Sequence, residues 1–517
     1  MNKTLLAIAL TAVVSPLRAQ LINTAYPFDE SLLPPSSAIN TITATELRKH
    51  LTFIASDELK GRDTGSPELD VAARYIAAHL ESYGFKGLGK DGSFFQPVPL
   101  HQTAYKIDSL SIKIGKKNAG FEIGKDAAVY GMGTADLIFE SPLLFVGEGL
   151  HTEAHKSYAP EDVKGKIVIR THLEGEKAEL ARSNPEYTHQ GIRNKLFGFG
   201  AKAVVLVVND NDAATQLIRL YSTFAKQPNL GLKAGDNQGA YIILSKAGYG
   251  KLLAASGLNA DKLAKSGQLP VFKATASFHL PSAYKQVLSK NVVAVLEGSD
   301  AALKSEYVGF GAHYDHVGYQ DTLIFNGADD DGSGTVGLLN IAQAMSVARP
   351  KRSVVVVFHT GEEKGLFGSE YFAANPLVPL ASMVAMVNMD MIGSDYETGK
   401  VHVVGANRIS NELHDINEKV NATRVNMTLD YTYNDDNHPE RIYYRSDHYN
   451  YAKNGVPVIF YTNDNPLHYH KHTDEVSTIN FPKMERIARL AFQTGYYVAS
   501  KKDRLVLNPV AAPAGTK

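Results

Sequence analysis

The chain has 517 residues, 44% apolar and 21% charged, with a formal net charge of −1. That composition excludes an intrinsically disordered polyelectrolyte and offers no bulk field for nucleic acid or anionic lipid. It has no cysteine, which excludes disulfides, thiolate metal ligands, a cysteine nucleophile and a lipid anchor on cysteine.

At the N-terminus, Lys3 precedes an apolar run from Leu5 to Val14, and Ser15-Pro16-Leu17-Arg18-Ala19 offers a cleavage site. Residues 1–19 therefore read as a secretory signal, too short in its apolar part to span a bilayer as a helix. The expected location is secreted or periplasmic, with no membrane span. Thr43 to Ser56 and Leu69 to Tyr83 read as helices, with Thr43 or Thr45 as a cap, and Gly84 fits the second helix's stop. The stretch between them, Asp57 to Pro67, reads as a loop from its Gly and Pro content.

From about 127 to 283 the pattern is β-rich and holds few clusters of His or acid. Strands are expected at Leu137 to Phe139 and Leu143 to Val146, after a turn within Val163 to Ile169, and at Gly198 to Val208, with a helix at Tyr187 to Phe197. Such a segment can pack around its own core, so an inserted domain is expected there. The first unit then comprises residues 20–126 and 284–505, and residues 506–517 form a tail.

The second half alternates apolar β-branched runs with helical patterns. Tyr307 to Gly311 runs into Ala312-His313-Tyr314-Asp315-His316. Asn326-Gly327-Ala328-Asp329-Asp330-Asp331 precedes a helix from Thr335 to Ser346. Ser353 to Phe358 leads to Gly361-Glu362-Glu363, and Met383 to Met389 leads to Asp390. Val456 to Tyr461 leads to His468-Tyr469-His470-Lys471-His472-Thr473-Asp474. Each cluster alone also reads as a solvated loop. Together they place His, Asp, Glu, Asp and His at strand ends in a strand–helix alternation. That predicts an α/β fold: a mainly parallel sheet with helices on both faces. Ligands bind such sheets beyond the C-terminal strand ends, so the five groups can converge. A covering helix is expected from Pro482 to Ser500.

These five motifs, in this order, resemble peptidase family M28, the co-catalytic zinc peptidases that include bacterial secreted aminopeptidases. The early Asp57 to Pro67 segment is similar as well. The resemblance implies a zinc-dependent exopeptidase fold with an inserted protease-associated (PA) domain and two zinc ions per chain. It implies His313, Asp330, Glu363, Asp390 and His470 as metal ligands, with Asp330 bridging both metals and its peptide bond to Asp331 cis. It implies Glu362 as general base and Asp315 as the residue that positions His313. His468 and His472 are rival ligands to His470, because His472 stands where the family usually has proline. Ser446-Asp447-His448 resembles a pocket-lining segment, and Tyr431, Tyr433, Tyr443 and Tyr444 offer a pocket wall or lid; both also read as packed structure. The implied substrates are peptides with a free N-terminus. A carboxypeptidase, a dipeptidase, a single-zinc cyclase and a non-catalytic binding ectodomain of the same build are the competing expectations.

Overall fold

The computed structural model describes residues 26–509, apart from 106, 108, 134–135, 182–183, 210–211, 225–227, 234–236, 258–270, 397–398 and 436–437. The expected signal, residues 1–19, and most of the C-terminal tail lie outside these. Among the described residues no helix is long and apolar enough to cross a membrane.

A 10-stranded mixed sheet organises the first unit. At its centre four strands run parallel: Ser353–His359, Tyr307–His313, Met383–Met389 and Val458–Thr462. Antiparallel strands flank them, Ser282–Leu296 on one side and Lys400–Val404 on the other. The parallel strands are continuous apolar runs because both faces are covered. In Ser353–His359 every residue is buried. Val354, Val356 and Phe358 pack with the helices Gly334–Val347 and Phe481–Ser500 on one face. Val355 and Val357 join Phe372 and Tyr451, from helices Phe367–Ala374 and His448–Ala452, on the other. The strand period of two thus divides one run between two cores.

The expected helices form close to their sequence signals. Thr43 caps Ala44–Ile54 by accepting from the Glu46 N–H, and Ser66 caps Pro67–Ser82 through the Leu69 N–H. The loop between them coils into 3₁₀ turns over Asp57–Arg62.

A second, 8-stranded sheet lies between residues 109 and 280 and has apolar clusters of its own on both faces. It takes in Ser109–Ile114 and Lys117–Glu122, so the expected boundary at residue 127 falls inside this sheet. Those two strands alternate buried and exposed residues, a pattern that fits either sheet and carries no boundary signal. The two strands expected around Leu137 and Leu143 are one, Leu137–Phe145. Both units share an antiparallel ribbon in which Phe95–Tyr105 pairs with Ser282–Leu296, from Phe95 opposite Val292 to Tyr105 opposite Ser282. The chain enters and leaves the second unit at one end of that ribbon.

Candidate metal centre

The parallel strands end together, and their exits carry the polar groups. His313 closes its strand, while Glu362 and Glu363 follow Ser353–His359 after a two-residue turn. Asp390 follows Met383–Met389, and His470 lies in the loop beyond Val458–Thr462. Asp330 sits in the turn that opens helix Gly334–Val347, and its peptide bond to Asp331 is cis, as the resemblance implies.

The three consecutive Asp divide their work. Asp329 accepts from the Gly393 N–H at 2.8 Å, from Asn465 Nδ2 at 2.8 Å and from Ser333 Oγ at 3.2 Å. Asp331 accepts from the N–H groups of His313, Gly334 and Met391 at 3.1, 2.8 and 3.1 Å. These two fasten the turn to neighbouring strand ends. Asp474 fastens it from the other side, accepting from the N–H groups of Asp329 and Asp330 at 2.9 and 3.0 Å. Asp330 is left facing the centre. Its Oδ1 lies 3.4 Å from His313 Nε2, and its Oδ2 lies 3.2 Å from His470 Nε2.

Two groups of donors result, joined at Asp330. His313, Asp330 and Asp390 form one, with His313 Nε2 3.6 Å from Asp390 Oδ1. Glu363, Asp330 and His470 meet on the other side, with His470 Nε2 2.9 Å from Glu363 Oε2. All five implied ligands therefore converge. Of the rivals, His468 turns to Thr473 Oγ1 at 2.9 Å and His472 sits edge-on to Phe325.

A third histidine, His316, faces Glu363 and Asp330 and was not among the implied ligands. Its signal in the sequence is its spacing three residues after His313.

Asp315 differs in detail from its expected role. His313 Nδ1 lies 3.1 Å from the Asp315 backbone carbonyl and 3.8 Å from its carboxylate. The carboxylate instead accepts from Thr64 Oγ1 at 2.7 Å and from the Glu362 N–H at 3.2 Å. It fixes the loop that carries Glu362, while the main chain orients His313. Burial raises the Asp315 carboxyl to about 6.

Behind the centre, Arg62 is fully buried. Nε donates to the Tyr314 carbonyl at 2.9 Å, Nη1 to those of Ile54 and Asn326 at 2.6 Å each, and Nη2 to that of Gly327 at 3.0 Å. It is the one cation of the loop Asp57 to Pro67 that enters the core.

The donor atoms suit a bound cation. His313 Nε2, Asp330 Oδ2 and Glu363 Oε1 are buried without a hydrogen-bond partner among the described residues. Buried polar atoms are seldom left so, and buried charges are paired or bind metal. Burial and Asp330 both oppose the charge on Glu363, yet His316 and His470 hold its carboxyl down at about 2. Burial opposes charge on His470 too, and Asp330 and Glu363 outweigh it, raising the imidazole to about 10. The mixed imidazole–carboxylate set fits zinc and related divalent ions.

Glu362 belongs to neither donor group. Its Oε2 lies 3.9 Å from His313 Nε2. Burial, with the nearby charges of Asp390 and Glu363, pushes its carboxyl well above the usual range. It lines an open cleft with Asp390, Ile442, Arg445, Ser446 and Tyr469. Of the expected pocket segment only Ser446 reaches this wall. Asp447 turns inward to His359 Nδ1 at 3.3 Å, and His448 stacks on Phe460. Tyr433 bonds Asp464 at 2.5 Å, Tyr431 bonds Glu418, Tyr443 is buried, and Arg441 lies over the Tyr444 ring.

A doubly covered α/β sheet with imidazoles and carboxylates convergent at its strand ends forms a candidate metal centre. Residues 291–495, the stretch that carries all five implied ligands, match the description "Peptidase family M28". A probable zinc metalloprotease of Leptosphaeria maculans is 28% identical over 218 residues, 36% of this chain and 48% of that protein. Leucine aminopeptidase 1 of Arthroderma otae is 28% identical over 217 residues, 39% of this chain and 55% of that one. The chain thus spans about half the length of the curated relatives it matches. The solved aminopeptidase from Aneurinibacillus sp. strain AM-1 shares the fold at a TM-score of 0.55 and 20% identity, covering 92% of this chain and 99% of that one.

Proposed function

We propose that this protein is a secreted or periplasmic aminopeptidase that removes N-terminal residues from peptides with two zinc ions. The observation that carries the hydrolytic reading is the division of labour at the strand ends. Two donor groups meet at Asp330, and a separate buried carboxyl, Glu362, is left beside them. His313 and Asp390 would hold one ion, Glu363 and His470 the other, with Asp330 shared. When bound, the ions supply Lewis acidity and an acidified water.

The chain's own residues do the rest. Glu362 accepts a proton from the attacking water and returns it to the leaving amine. Burial, with the charges of Asp390 and Glu363, raises its carboxyl, as is common for groups that exchange protons in a site. Asp315 and Thr64 keep its loop in place through the Glu362 N–H. The N-terminal direction of attack draws on the relatives' names and on the carboxylates of the cleft, which suit a substrate's α-ammonium. Arg445 on the cleft wall favours a second reading, a carboxypeptidase, since a guanidinium suits a C-terminal carboxylate. Arg445 is, however, already engaged by Glu440 at 2.8 Å. The reading of the second unit as an inserted PA domain draws on its own apolar clusters.

Glu362→Gln tests the mechanism. It should keep the metal content of the parent and lose about 10²–10⁴-fold in kcat. Near-normal turnover would remove Glu362 from the chemistry.

A further inference from the structure

We propose that His316 is an additional ligand of the metal centre, so that the Glu363 side is built with two imidazoles, His316 and His470. The inference rests on the metal reading above and adds to it a residue outside the five implied ligands. His316 is fully buried, and neither ring nitrogen has a hydrogen-bond partner among the described residues. Its Nδ1 is 2.7 Å from Glu363 Oε1 and 3.9 Å from Asp330 Oδ2. At 2.7 Å a well-aimed N–H would make a strong bond to a carboxylate. Here the alignment fails on both sides, since Glu363 Oε1 is also unpartnered. Two buried polar atoms this close, each without a hydrogen-bond partner, suit a shared cation. His316, Asp330 and Glu363 offer ligand atoms all within 4.8 Å of one another.

The surroundings hold the ring to that task. The His316 N–H donates to the Arg62 carbonyl at 3.1 Å, and its backbone bridges to Asp63. Gly327 lies against the ring, and a Cβ there would come within 2.5 Å of Cγ and Cδ2. The absence of a side chain at 327 is therefore what admits the imidazole. By contrast His470, on the loop, keeps 39% of its side chain exposed. The Glu363 side thus combines a rigid buried imidazole with an exposed one.

The test is metal binding rather than turnover. Apo protein, His316→Ala, His316→Asn and His470→Ala are titrated with zinc against a calibrated chelator, and bound zinc is measured by mass spectrometry. The parent should bind two ions. Both His316 variants should bind the second at least ten-fold more weakly, and His470→Ala should retain it through His316. Zinc X-ray absorption on the parent gives a readout independent of any variant's folding: three imidazoles shared by two ions, not two. A His316 variant that binds both ions with parental affinity, or a parent spectrum with two imidazoles, would overturn the proposal and leave the metal centre standing. A parent that binds no zinc would instead overturn the metal reading itself.

Discussion

Arg62 shows what one side chain contributes to this site. Its guanidinium satisfies the carbonyls of Ile54, Tyr314, Asn326 and Gly327 and places a positive charge behind Asp315, Asp331 and Asp474. Arg62→Met keeps much of the volume and removes every donor. Buried acceptors then lose their partners, and we expect a loss on the order of 3–5 kcal/mol in chemical denaturation. A loss below about 1 kcal/mol would mean that water takes over the role. His448 makes a second residue-scale prediction. Burial lowers its imidazole from 6.5 to about 3. The unfolded chain therefore binds the proton first as pH falls. The contribution of His448 is complete above about pH 6.5 and is lost progressively down to about pH 3, at no more than ~1.4 kcal/mol per pH unit. His448→Phe should flatten that part of the stability–pH curve relative to the parent; an unchanged slope would assign it to other groups. At this scale the sequence was legible where the ligand types are distinctive. His313, Glu363 and Asp390 announce themselves at the ends of apolar runs. Arg62 and Thr64 do not, because an arginine in a Gly-rich loop looks solvated until the loop is seen to fold under the sheet. His316 was hidden inside a motif that already had its histidine.

At the scale of elements, the central strands and the helices that cover them follow from hydrophobic period alone. Strand ends shift by a residue or two: Tyr307–His313 extends past the expected Gly311 to include the first donor itself. What period does not reveal is where helix and sheet touch. Gly495 lies inside helix Phe481–Ser500, where glycine costs about 1 kcal/mol relative to alanine. A Cβ there would collide with the buried Phe310 ring. Propensity and packing thus predict opposite signs for Gly495→Ala. Overpacking costs about 1–3 kcal/mol in a close-packed core, so packing should win. The variant should melt below the parent, and a higher melting temperature would show that Phe310 yields easily. The Asp329-Asp330-Asp331 turn teaches the same lesson. Three acids before a helix are visible in sequence, but which one faces the centre depends on the N–H donors of Met391 and Gly393, just past the strand Met383–Met389, and on Asp474.

For the molecule as a whole, the 8-stranded sheet begins at Ser109, ahead of the expected boundary at residue 127. The seam falls on a ribbon whose strands belong to both, and alternating strands carry no label for their sheet. The site itself is assembled from residues 62 to 474, and only the parallel sheet brings such distant positions together. The central claim is that this assembly is a metal-dependent aminopeptidase. Its most direct test is a mass-spectrometric time course on matched free and N-acetylated peptides, with and without chelator. The account predicts stepwise loss of N-terminal residues from the free peptides only, abolished by chelator and restored by zinc. Shortening of the acetylated peptides from their C-terminal ends, or cleavage indifferent to chelator, would contradict it.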